Sequence, residues 1–465
     1  MKRNNLSYLI FLAMALVGLS GCIEDGYSSS PSDQPSFSVD TLHMGVIFTD
    51  EPSTTHRFTV YNRASKSINI SRIGLSGDNA QLFRLNVDGF SGRTFSDVEI
   101  RANDSIYIFV ETTLPSNGLT VPLEVTSSLD FTTNGLTRSV TLAATGRDVE
   151  RINALTINEN TTLRAGRPYR VTDSLVVAPG VALTLEPGVE MLFHDKAHLT
   201  VHGSLQSLGT LDRPVVLTGD RTGNVASDIP FDLMSRQWDG VYFTPSSRAN
   251  RMEHTLIKNT ASGVVVDGTG SAEPVDIVVA NSRLRNSGAN GLELHNAALT
   301  AYNSEFAEAA YAALYVNASR LDIDQCTLSN YYLFAAIGSP ILTFDPEGLE
   351  ATSATIDNTI IYGLGSDVSE GDLTGTDIFL RNCLLKSEGT NDDNFINCVW
   401  GEDPLFHTIR EDYIFDYRLK PESPAIGRAD PALNRPECAT DILGTVRPAA
   451  PSLGAYEFTA DQAAQ

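Results

Sequence analysis

Between Phe37 and Asp148, apolar and polar residues alternate in short runs: His56-Arg-Phe-Thr-Val-Tyr61, Ser67-Ile-Asn-Ile-Ser71, Asp97-Val-Glu-Ile100, Ser105-Ile-Tyr-Ile-Phe-Val110 and Arg138-Ser-Val-Thr-Leu142. A period of two sends alternate side chains to opposite faces, as half-buried strands require. Breaks such as Ser76-Gly-Asp-Asn79 and Asn134-Gly135 separate the runs. The pattern predicts an antiparallel sandwich of about seven strands, held by apolar packing because no cysteine falls within it.

Beyond Ile152 the pattern changes from alternation within a run to repetition between runs. One column of residues, His254, Asn281, Asn303, Gln325, Asn358, Asn382 and Asn397, aligns a single template. Two positions earlier stand Met252, Val279, Ala301, Ile323, Ile356, Leu380 and Phe395; three positions later stand Ile257, Leu284, Phe306, Leu328 and Leu385. Both sets are expected to face a core. The intervals are 27, 22, 22, 33, 24 and 15 residues, and a 22-residue step suits one coil of a β-solenoid. The 33-residue interval leaves open an insertion or a further degenerate coil.

An inward amide at each bend has a donor and an acceptor to offer the coils above and below. The next residue is always small: Thr255, Ser282, Ser304, Cys326, Thr359, Cys383 and Cys398. Three cysteines thus share a structural slot, as buried thiols or with Cys383 and Cys398 bridged between neighbouring coils. No histidine accompanies them, which argues against a metal.

The phrases Tyr169-Arg-Val-Thr-Asp-Ser-Leu-Val-Val, Leu183-Thr-Leu-Glu-Pro-Gly-Val, Leu199-Thr-Val-His-Gly-Ser-Leu-Gln-Ser-Leu-Gly-Thr and Trp238-Asp-Gly-Val-Tyr-Phe resemble the entry coils of right-handed parallel β-helix proteins of the pectate-lyase-like kind. The alternating segment before them resembles the Ig-like domains of bacterial surface proteins. The end of the chain, with Asp403-Pro-Leu-Phe406, Thr440-Asp-Ile-Leu-Gly444 and Leu453-Gly-Ala-Tyr-Glu-Phe458, resembles the closing module of bacterial surface β-helix proteins. The expected fold class is therefore all-β: an Ig-like antiparallel sandwich over 37–150, a right-handed parallel β-helix over 151–400, and a C-terminal capping module over 401–465.

Ahead of these, Lys2 and Arg3 precede an apolar run from Leu9 to Leu19 that is too short to span a bilayer. It ends in Leu19-Ser20-Gly21-Cys22, which resembles the lipobox of bacterial lipoproteins. The resemblance implies a signal peptide over 1–21 and acylation of Cys22, with a Ser-, Pro- and Asp-rich tether over 22–36. The implied location is the outer membrane, reached through the lipid anchor alone. The acidic pair Glu24-Asp25 resembles the surface-export signals of Bacteroides-like bacteria.

A formal net charge of −24 argues against nucleic acid as a partner and suits a soluble exported surface. Candidate chemistry is sparse. Asp322 and Asp324 alternate onto one face, with Asp357 about 4.8 Å away if its coil is adjacent, and Arg381 one coil further. Three readings apply to these acids: a solvated face, a cation site of the calcium kind used by polysaccharide lyases, or a catalytic pair as in glycosidases. Tyr302, Tyr331 and Tyr332 are the candidates for a sugar-stacking platform. No nucleotide loop or nucleophile motif is present. The sequence favours a non-catalytic protein offering a β-helix side to a glycan or an outer-membrane protein. A polysaccharide lyase or glycoside hydrolase working on that side is the alternative.

Overall fold

A computed structural model describes residues 26–226, 229–369 and 373–460; Cys22 and the lipobox lie outside the described residues. The chain divides into two compact units, Met1–Asp148 and Val149–Gln465.

The first unit is a two-sheet sandwich. One sheet orders Ser36–Phe37, His56–Tyr61, Ser105–Thr112, Phe83–Val87 and Phe90–Gly92, all antiparallel. The other is built on Leu123–Thr133 between Ile68–Ser76 and Leu136–Arg147. Thr41–Phe48 joins it by pairing parallel with Leu136–Arg147, the one parallel pair among the described strands of this unit, and Thr94–Phe95 and Val98–Ile100 pair antiparallel with Ile68–Ser76 at the other edge. Alternation delivers Phe58, Val60, Ile68, Ile70, Phe83, Ile108, Leu129, Phe131 and Val140 to the shared core.

The second unit is a β-solenoid of three parallel sheets with eleven, eight and ten strands. A complete coil contributes one strand to each sheet, beginning with Glu150–Ile152, Leu155–Ile157 and Thr161–Leu163, and the last coils lack a strand in the eight-stranded sheet, which ends at Leu342–Phe344. Inward residues stack by type from coil to coil, as with Leu199, Val241, Val264, Leu292, Leu314 and Leu342 in the eight-stranded sheet. They form one continuous interior.

The amide column sits where the ten-stranded sheet turns into the eleven-stranded one, and its backbone is left-handed throughout: φ runs from 42° at His254 to 53° at Asn397. Asn tolerates that region at lower cost than most residues, which explains the column better than an inward ladder does. Asn303 donates to Asn281 Oδ1 at 3.3 Å, but its shorter bond, 2.7 Å, goes to the Thr440 carbonyl. Asn358 likewise donates to Asn434 Oδ1 and the Asp430 carbonyl. The column's side chains therefore grip the C-terminal module, and backbone bonds such as Asn303 N–H to the Asp324 carbonyl join the coils. The small slot beside the column holds hydroxyls that accept from the preceding coil, as Ser282 Oγ does from Thr255 N–H. Cys326, Cys383 and Cys398 are buried there as free thiols.

Strand Arg320–Asp324 pairs directly with Ser353–Asp357, so the 33-residue interval is an excursion within one coil and not an extra coil. A second excursion separates Val215–Gly219 from Trp238–Phe243. After Trp400 the chain returns along the flank of the eleven-stranded sheet, where Phe406, Tyr417, Leu453 and Tyr456 pack on Ala307, Ile360, Leu384 and Val399. No helix among the described residues is long and apolar enough to cross a membrane.

Candidate functional site

The register brings the sequence-predicted acids together: Asp324 lies opposite Asp357, and Asp357 opposite Arg381. It also occupies them with partners. Arg381 holds Asp357 through two bonds, 2.6 Å from Nε and 2.5 Å from Nη2. The Arg435 guanidinium pairs with Asp322, and Arg435 N–H donates to Asp324 Oδ2 at 2.7 Å. Asp324 is only 1% exposed; burial pushes its carboxyl up to about 6 against the pull of the Arg435 N–H. Burial also raises Asp357, with Arg381 opposing. Asp324 is covered by the C-terminal module and Asp357 is occupied by Arg381, so these two carboxylates serve a seam between the coils and the module, while Asp322, paired with Arg435, stays exposed. Among the described residues, no three His, Cys, Asp or Glu side chains are placed to share a metal ion.

The tyrosine platform is likewise corrected. Tyr302 does point away from the solenoid interior, but it packs against Ala280 and Cys438, beneath the returning chain, and its hydroxyl accepts from Arg251. Tyr331 is buried and stacks on Tyr417 at 6.4 Å between centroids. Tyr332 is buried too, with its hydroxyl 2.5 Å from Ser235 Oγ. Sequence alternation located the outward position of Tyr302 without showing that another part of the chain covers it.

Tyr332 nevertheless leads to a site the sequence reading missed. Three excursions converge on the outer face of the eleven-stranded sheet and enclose a cavity of about 200 Å³, floored by Leu256, Lys258, Arg285 and Glu308. Its walls are Asp232 and Leu233 from one excursion, Tyr332 and Phe334 from the second, and Tyr413 and Phe415 from the returning chain. The walls are tied to the floor and to one another: Asn286 donates to the Leu233 carbonyl at 2.8 Å, and Arg410 Nε to the Tyr331 carbonyl at 2.8 Å. Phe334 and Tyr413 remain 42% and 36% exposed.

Glu308 lies on the strand Glu305–Ala309 with φ at 49°, a conformation costly for a glutamate. Its Oε1 accepts from the Tyr417 hydroxyl. Burial pushes its carboxyl up to about 7; Arg285 and the Tyr417 hydroxyl oppose this, and Glu305 adds to it. Arg285 is committed to Glu305 through Nε and Nη2, and Lys258 pairs with Asp232. The signal for this site was in the sequence. Five residues after four consecutive members of the amide column come Asn259, Asn286, Glu308 and Asn330, a second bend column interrupted by one acid. Asn259 and Asn286 share the left-handed backbone of Glu308.

These features define a class: a two-unit all-β chain whose larger unit is a parallel β-solenoid with a pocket roofed by its own excursions. No family model matches the sequence, and no curated protein does. Similarity to solved structures is remote. A family 123 glycoside hydrolase from Clostridium perfringens is similar over 24% of this chain and 25% of its own, at 11% identity and a TM-score of 0.18. This chain thus spans about a quarter of that protein's length. A protein of unknown function from Porphyromonas gingivalis W83 is similar over 27% of this chain and 60% of its own, at 11% identity and a TM-score of 0.19. The catalytic unit of a thermostable GH87 α-1,3-glucanase from Streptomyces thermodiastaticus strain HF3-3 is similar over 73% of this chain and 64% of its own, at 12% identity and a TM-score of 0.18. Likenesses this slight assign neither a family nor a chemistry.

Proposed function

We propose that this is a saccharide-binding protein of the bacterial envelope, anchored through Cys22, with its ligand site in the Glu308 pocket. The observation that carries the reading is the pocket itself. Exposed aromatic rings at Phe334 and Tyr413 flank a polar floor in a concave site, and sugar rings are bound by this combination of ring faces and directed hydrogen bonds. The lipid anchor at the outer membrane and the spacer role of an Ig-like N-terminal unit belong to the same proposal, supported by the lipobox and the alternating strands.

A glycoside hydrolase is the second reading, favoured by Glu308 alone: a carboxyl that keeps its proton near neutrality is suited to act as a general acid. One experiment addresses both. The protein is incubated with a panel of acidic and neutral oligosaccharides, and binding and product release are measured for the wild type and for the Phe334→Ala, Tyr413→Ala double variant. Binding without cleavage, weakened about 10-fold or more in the double variant, supports the proposal. Cleavage abolished by Glu308→Gln makes the protein a hydrolase, and binding unaffected by the double variant moves the site elsewhere.

A further inference from the structure

Resting on the lipid anchor of that reading, and not on the pocket, we propose that the outer face of the five-stranded sheet of the sandwich docks on an anionic lipid surface, with headgroup phosphates seated on Arg57, Arg63, Arg84 and Arg93. Three observations point there.

The first is what alternation turns outward. Phe58, Val60, Phe83, Leu85, Ile108 and Val110 fill the sandwich core, which leaves Arg57, Tyr61, Arg84, Tyr107 and Phe109 on the opposite side of the same strands. Arg57 lies opposite Phe109 in register, and its guanidinium covers the Tyr107 ring at 5.2 Å; Arg63 covers the Tyr61 ring at 4.8 Å. Tyr107 is 48% exposed, and Phe90, in the neighbouring hairpin, is 74% exposed. Arginines interleaved with exposed rings suit the headgroup layer of a membrane, where the apolar body of a ring enters the acyl boundary and a cation stays among the phosphates.

The second is charge. The chain carries a net −24, yet Glu111 is the one acid among the outward residues of His56–Tyr61, Phe83–Val87 and Ser105–Thr112. It lies opposite Arg84 in register and accepts from the Thr55 hydroxyl. The hydrogen-bond partners of the guanidiniums among the described residues are neutral: Arg63 Nε donates to Ser36 Oγ at 3.3 Å, Arg84 Nη2 to Thr113 Oγ1 at 3.2 Å, and Arg93 Nη2 to the Gln81 carbonyl at 2.7 Å. Each guanidinium has five N–H donors, so most are left for a phosphate. Arg84 and Arg93 border a groove of about 630 Å³ that Asn86, Ser91 and Phe109 also line, with room for a headgroup between the two forks. An anionic surface repels the acidic remainder of the chain, so a cationic face sets the orientation of approach.

The third is reach. Ser28 N–H donates to the Ser67 carbonyl at 2.8 Å, which ties the chain to the loop between Tyr61 and Ile68, and Ser36 pairs with Tyr61. Six residues lead from Cys22 to Ser28, about 20 Å at full extension. An acylated Cys22 therefore holds the Tyr61 end of the face close to the lipid. Tethering over so short a span gives an effective concentration in the millimolar range, at which even a weak electrostatic contact is occupied. The spacer unit is then fixed side-on at the surface.

The test is co-sedimentation of the mature chain, residues 22–465 with Cys22→Ser, with vesicles of phosphatidylcholine alone and of phosphatidylcholine and phosphatidylglycerol in equal parts. Binding to the mixed vesicles and not to phosphatidylcholine is expected, weakening as sodium chloride rises from about 0.05 M to about 0.5 M. Arg57→Gln with Arg84→Gln is expected to weaken it about 25-fold, about fivefold for each cation lost near the surface. Arg72→Gln with Arg138→Gln, at two exposed positions of the other sheet, is expected to leave it unchanged. Absence of binding to the mixed vesicles, equal binding to both kinds, or equal weakening in the two double variants overturns the inference. Intact mass of the full chain purified from membranes separates this from the anchor: an acylated Cys22 with any of those three results overturns the docking face alone, and an unmodified Cys22 overturns the anchor and the inference together.

Discussion

Glu308 makes the stability of the β-solenoid unit depend on pH in a way that can be worked out from its surroundings. Its ordinary value is 4.5, and burial lifts it to about 7 in the fold. A carboxyl raised by folding favours the native state most while it is protonated in both states, below about pH 4.5. From there upward the unfolded chain releases the proton and the folded chain keeps it, and the contribution is lost as pH rises through the folded value. The difference of about 2.5 pH units corresponds to a loss of about 3 kcal/mol between about pH 4 and pH 8. Asp324, lifted to about 6 by burial, has the same sign, so the wild-type profile by itself does not isolate Glu308. The difference between wild type and Glu308→Gln does, because the Asp324 contribution cancels. Both tryptophans, Trp238 and Trp400, belong to the second unit, and Trp238 is fully buried and stacked on Phe193 at 4.1 Å. Urea unfolding followed by tryptophan fluorescence therefore reports on this unit. The variant is expected to gain about 3 kcal/mol on the wild type between about pH 4 and pH 8. Parallel pH profiles for the two proteins would refute the reasoning.

Two further outcomes follow from the seam and the thiol slot. Arg381→Ala strips Asp357 of its bidentate partner and should cost about 1–3 kcal/mol, reduced in the Asp357→Asn background; equal losses in both backgrounds, in a double-mutant cycle by urea unfolding, would show that the pair is not coupled. Cys383 and Cys398 occupy matching slots in adjacent coils, and neighbouring parallel strands lie about 4.8 Å apart, within disulfide reach. Refolding with glutathione disulfide should join them with loss of two hydrogens, leaving Cys326 and Cys438 as the alkylatable members of the four buried thiols, read by intact mass after alkylation in denaturant; alkylation of all four would count against it.

The two architectures were legible in the sequence because each leaves a local periodic trace. Period-two runs such as Ser105–Val110 place their own faces, and the amide column places each coil against the next, since in a solenoid neighbours in space are neighbours in the repeat. For the same reason, the adjacency of Asp324, Asp357 and Arg381 could be counted out in advance. Whether those side chains meet water could not. For Asp324 that depends on Arg435, and for Glu305 and Glu308 on Tyr456 and Tyr417, which reach the flank of the solenoid from far along the chain and carry no repeat of their own. The left-handed bends chose asparagine locally, whereas the raised affinity of Glu308 for its proton comes from its burial beneath the returning chain and from Glu305 beside it, against the opposing pull of Arg285 and Tyr417. Pattern along the chain determined which residues face inward; only the tertiary fold decided which of the outward ones are covered, because coverage is set by contacts between segments distant in sequence.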